Sequence, residues 1–148
     1  MAYRGGSLIS PDFFRTFMME PYRRVLDHFR KHNVPFFVVD SDGDVSELIP
    51  LFIELGIHGM YPFEAQAGMD ILEVRKVYGR DFVIWGGIDK KKLFGSKKDI
   101  EQEVKSKVPQ MLETGGYIPK LDHEAPPEVT FDNFCYYRKL IREICEKG

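Results

Sequence analysis

The chain has 148 residues, 43% of them hydrophobic and 14% aromatic, which suffices for one domain with a buried core and excludes a disordered chain. A formal net charge of −2, with 30% charged residues and neither sign dominant, excludes a general affinity for nucleic acid or an anionic membrane surface. No apolar leader follows Met1 and no apolar run reaches about 18 residues, so neither export nor membrane insertion is indicated.

The spacing predicts a leading helix within residues 10–32. Phe13, Phe14, Phe17, Met18, Val25, Leu26 and Phe29 recur at helical intervals behind Ser10 as N-cap and Pro11 at N1, and Pro21 predicts a bend or restart. The apolar run "VPFFVVD" (34–40) reads as a strand buried on both faces, as in parallel sheets. A helix over 45–56 follows, disturbed by Pro50 and stopped by Gly56, then a short strand over 57–62 and a helix over 69–79. "DFVIWGGID" (81–89) is the third strand, and a helix opened by Ser96 covers 96–116. A strand over 117–122, weakened by Pro119, leads to a final helix over 130–147 capped by Thr130. Cys135 and Cys145 lie in that last helix, about 15 Å apart at the helical rise, and cannot pair with each other. Free thiols point to a cytoplasmic protein.

The order is one leading helix and four strand–helix units over 34–147, each of the length a parallel βαβ connection needs. This predicts a single α/β domain over 1–148, a (βα)4 half-barrel of TIM-barrel type with parallel strands. An eight-stranded barrel needs about 250 residues, and four open parallel strands expose two edges that a second copy or a partner half-barrel would cover. A homodimer is therefore expected.

Each strand delivers polar residues at its C-terminal end: Asp40 and Asp42, then Tyr61 and Glu64, then Asp89, then Asp122 and His123. In parallel α/β folds that rim binds ligands. Asp44 reads as an N-cap for the next helix. Asp40 and Asp42 would repel each other unless a cation, an arginine or a shared proton offsets them, or unless each caps loop amides. The "DSDGDV" stretch lacks the glycine and the bidentate Glu of a calcium loop, and no phosphate-cradling glycine pattern occurs, so no nucleotide cofactor is expected. His28 and His32 read as surface residues, His58 as structural and Trp85 as core, whereas Asp122 can orient His123. The basic run over 90–98 reads as a solvated loop and helix start.

Two segments carry a family resemblance. "WGGIDKKKLFGSKKDIEQEV" (85–104) and "GGYIPKLDHEAPPEVTFDNF" (115–134) resemble the C-terminal half of the uroporphyrinogen decarboxylase superfamily, which includes corrinoid and coenzyme M methyltransferases. The resemblance extends from about Ser10 to the C-terminus. It implies that Asp40, Asp42 and His123 match the zinc ligands of the methyltransferase branch, where a histidine and two cysteines stand. Without a thiolate, a harder divalent ion or no metal is expected there. It also implies that His123 matches the histidine by which the decarboxylase branch contacts its tetrapyrrole, while that branch's arginines and catalytic aspartate belong to the other half of the barrel.

The expected function is a self-associating half-barrel that binds a small molecule or cation at the rim, the parent catalysis being lost. The alternative is an active decarboxylase-like or methyltransferase enzyme, as a dimer or with a partner half. In that case His123 and Asp40 are catalytic, Asp40, Asp42 and His123 bind metal, and Asp42, Tyr61, Glu64, Asp89 and Asp122 bind ligand. A truncated product with no role of its own also stays open.

Overall fold

A computed structural model describes residues 1–146. The chain opens with an antiparallel hairpin, β1 (Ala2–Tyr3) and β2 (Gly6–Ser7), which no sequence pattern announces. The leading helix follows in three parts: α1 (Pro11–Phe13), a wider π turn over Phe14–Met18, and α2 (Met19–Lys31). Ser10 Oγ accepts from the Phe13 N–H at 3.1 Å, and Pro11 sits in the first turn, as expected. The break, however, precedes Pro21. In a continuous α-helix the Pro21 ring would press on the Phe17 carbonyl. The chain widens upstream, the Met19 N–H bonding to the Phe14 carbonyl, and returns to α geometry at Met19, two residues ahead of Pro21.

Four strand–helix units then alternate. They are β3 (Val38–Asp40) with α3 (Ile49–Glu54), β4 (Gly59–Tyr61) with α4 (Ile71–Tyr78), β5 (Val83–Trp85) with α5 (Lys97–Thr114), and β6 (Tyr117–Ile118) with α6 (Phe131–Cys145). The sheet order is β3-β4-β5-β6 and every pairing is parallel, which is half of a TIM-type barrel. Pro119 interrupts the last strand, and one further bridge, Ile88 to Leu121, extends the pairing beyond it. Lys147, placed in the final helix by the sequence, lies outside the described residues.

Caps explain the helix boundaries. Ser96 and Asp99 form a reciprocal capping box at α5, Asp70 caps α4 and Thr130 caps α6. Pro50 falls in the first turn of α3, so it starts that helix instead of disturbing it, and the preceding turn over 45–48 replaces the predicted first turn.

One face of the sheet forms the core. Val39, Met60, Ile84 and Tyr117 lie side by side across the four strands and are buried in one cluster with Phe52, Ile71, Val104 and Ile141 from the helices. Full burial of a side chain such as Met60 or Ile84 stabilises by about 1.5–3 kcal/mol. The opposite face is open, which corrects the expectation for the first strand. Phe37 and Val39 are each 8% exposed, whereas Phe36 and Val38 are 46% and 38% exposed. The apolar run is continuous because both faces are built to be covered, yet only one is covered within the chain. Trp85 likewise lies on the open face, partly buried, instead of in the core.

Candidate functional site

The strand ends converge at one rim, and two acids there hold its loops together. Asp122 is fully buried. Its Oδ2 accepts from the Ala65 N–H at 3.1 Å, and its Oδ1 accepts from the Lys90 N–H at 3.1 Å with the Lys90 ammonium 3.6 Å away. Burial raises its carboxyl above the ordinary range, against the opposing pull of the Lys90 amide and ammonium. Asp89 is also buried: Oδ1 caps the Lys90–Phe94 turn through the Lys91 N–H at 2.9 Å, and Oδ2 accepts from Gln66 Nε2 at 3.0 Å. Glu64 Oε2 accepts from the Gly43 N–H at 3.1 Å and faces Lys90 at 4.0 Å. Asp89, Asp122 and Glu64 were expected to contact ligand; in this structure their oxygens bind the loops after β3, β4 and β5. Asp44 accepts from the Ser46 N–H and hydroxyl, as its capping role requires.

His123 and Asp42 remain directed to solvent. His123 Nε2 lies 3.6 Å from Asp42 Oδ1, with the side chains 46% and 61% exposed. His123 Nδ1 accepts from the Glu124 N–H at 2.9 Å, so in the neutral ring the proton resides on Nε2 and points toward Asp42. The carboxylate that faces His123 is therefore Asp42 and not its chain neighbour Asp122, whose side chain turns inward to the loop amides. An imidazole with a carboxylate beside it can hold or release a proton at the rim.

Asp40 ends β3 in register with Tyr61 and is exposed. Among the described residues no three His, Cys, Asp or Glu side chains are grouped so as to hold a metal ion. The expected set Asp40, Asp42 and His123 is brought together in part: His123 Nε2 and Asp42 Oδ1 stand 3.6 Å apart, and Asp40 ends β3 on the open face of the sheet. Both cysteines are exposed on α6, and the exposed His28 and His32 lie at the end of α2 with their ring centroids 4.6 Å apart and tilted.

Two lysines complete the rim, and sequence reasoning missed both. Lys90, read as part of a solvated run, is mostly buried between Asp122 and Glu64. Lys120 Nζ donates to Tyr61 Oη at 2.8 Å and stands 4.3 Å from the ring centroid. The available signal was the alternation after β6, which places Ile118 and Lys120 toward the open face and buries Leu121. The hairpin also reaches this end: the Tyr3 carbonyl accepts from the Asp44 N–H at 3.1 Å, and a Cβ on Gly43, whose φ is +83°, would meet the Ala2 carbonyl carbon at 2.7 Å. Gly86 and Gly87 both take positive φ, and a side chain on Gly87 would overlap Ile71 of α4. They permit the close approach expected of them.

The family model described as uroporphyrinogen decarboxylase (URO-D) matches residues 4–144. No curated protein matches the chain.

Proposed function

The chain belongs to the uroporphyrinogen decarboxylase family, and on that premise we propose that its four parallel units act as one half of an eight-stranded barrel that a second copy completes, enclosing a small-molecule site at the C-terminal rim. The observation that carries this reading is the open face of the sheet. Phe36, Val38 and Ile118 are exposed there, and both flanking strands, β3 and β6, are edges. Apolar edges of this kind favour pairing with another strand.

A twofold axis along the barrel axis sets β3 of each copy beside β6 of the other. The strands then run parallel across the junction, as they do inside the sheet, and no edge is left over. Between α2 and β3 lies an apolar groove of about 330 Å³, lined by Tyr22, Val25, Phe29, Val34, Phe36 and Val38. In this arrangement the groove receives β6 of the second copy. Closure also removes water from the inner side of the rim, where polar groups then interact more strongly than in solvent. The two free thiols suit a reducing compartment such as the cytoplasm.

Light scattering over a range of protein concentrations tests the pairing. The expected result is a mass twice the 17.2 kDa of the chain. A mass of one chain at every concentration would sink it.

A further inference from the structure

Lys120 follows β6, yet its ammonium reaches back across β5 to the end of β4, where it donates to Tyr61 Oη at 2.8 Å. Tyr61 Oη accepts that bond, so its own O–H is left as a donor. Trp85 stands on the same face with its ring 5.2 Å from that of Tyr61, centroid to centroid, and the exposed Ile118 adjoins it in the β5–β6 register. The arrangement offers two convergent donors, one of them charged, beside a flat apolar wall. Such a combination recognises an oxyanion attached to an apolar body.

We propose that Lys120, Tyr61 and Trp85 form a binding site for a small aromatic or apolar monocarboxylate, with the carboxylate on Lys120 Nζ and Tyr61 Oη and the apolar group against Trp85. The site deepens the small-molecule reading and rests on it for enclosure, although its donors come from one chain. The hydrogen bond to Tyr61 raises the pKa of Lys120 and keeps the amine charged, which suits oxyanion binding and disfavours use of the amine as a nucleophile. Two acids bear on the site. Glu124 Oε1 lies 3.8 Å from Lys120 Nζ, but that side chain is 84% exposed and turns away into solvent at little cost. Asp40 is beside Tyr61 on the strand away from Trp85, so a ligand between Tyr61 and Trp85 avoids it.

Trp85 is the sole tryptophan, so its fluorescence reports on the site directly. The full chain is titrated with phenylacetate and with the neutral phenylacetamide, isothermal calorimetry covering any binding that leaves the indole unchanged, and light scattering gives the mass of the same samples. The expected result is saturable binding of phenylacetate and none of the amide, abolished in Lys120→Met and roughly tenfold weaker in Tyr61→Phe, in line with the loss of one hydrogen bond to a charged group. No saturable binding, equal binding of the amide, or unchanged affinity in Lys120→Met would overturn the proposal. Dimeric samples that bind nothing would refute the site and leave the pairing standing; monomeric samples with Lys120-dependent binding would do the reverse.

Discussion

Asp122 illustrates how far a residue's place can be read before its role. Its position at the end of the fourth strand is legible from the apolar run that precedes it, and the same holds for Asp40, Asp42, Glu64, Asp89 and His123. What each acid does depends on which loop amide folds over it, and no local pattern encodes that. Asp122 accepts from the Ala65 and Lys90 amides while fully buried. Asparagine has a single acceptor oxygen, so Asp122→Asn leaves one of those amides without a partner and should cost about 1–3 kcal/mol in urea unfolding. The pH dependence has a definite sign. Because burial raises the folded-state pKa, the folded chain takes up this proton before the unfolded chain does, and the contribution of Asp122 to stability grows as pH falls from the raised value toward the ordinary carboxylate range. The stability gap between the wild type and Asp122→Asn should therefore widen on acidification. A gap that narrows would mean that Lys90, and not desolvation, dominates the environment of Asp122.

At the scale of elements, the sequence was informative wherever a cap and a hydrophobic period agree. The helix α5 shows both, with Ser96 and Asp99 closing its first turn and Ile100, Val104, Val108 and Met111 on its buried side. The leading helix was legible in extent but not in its break, because the π turn answers a clash four residues away instead of a local breaker. The β1–β2 hairpin is not legible in the sequence, because two-residue strands carry no period. The glycines after β5 are a firmer case. Gly87 has a φ of +83° and its Cα faces Ile71, so Gly87→Ala should destabilise by about 1–3 kcal/mol, through backbone strain and overpacking together. Gly68, at a φ of +90° with open space around it, supplies the control: Gly68→Ala should lose only the backbone part, about 1 kcal/mol. Thermal or urea unfolding of the two variants separates these contributions, and equal losses would show that contact with α4 adds nothing.

For the whole molecule, the count of four strand–helix units follows from the alternation of strand and helix patterns, and the parallel sheet order agrees with it. The open inner face was not legible, because a continuous apolar run signals two buried faces without saying which chain buries the second. Exposed Phe36 and Val38, the edge strands and the groove under α2 would all be covered by the second copy proposed above. Pro119 has no amide to donate beyond β6, so in the proposed pairing that edge would contribute fewer hydrogen bonds than β3, and apolar contact would supply more of the stability.

The direction of the backbone at β3 makes the pairing measurable. The Ser41 N–H donates to the Tyr61 carbonyl and the Phe37 carbonyl accepts from the His58 N–H, so residues 37, 39 and 41 address β4. By alternation, the amides of Val38 and Asp40 point away from the sheet, toward the place assigned to the second copy. The decisive measurement is hydrogen exchange at those two amides, followed by NMR at increasing protein concentration. Closure of the barrel by a second copy predicts that both become protected as concentration rises, together with the rise in mass, whereas exchange at the rate of open, solvated amides at every concentration would contradict it.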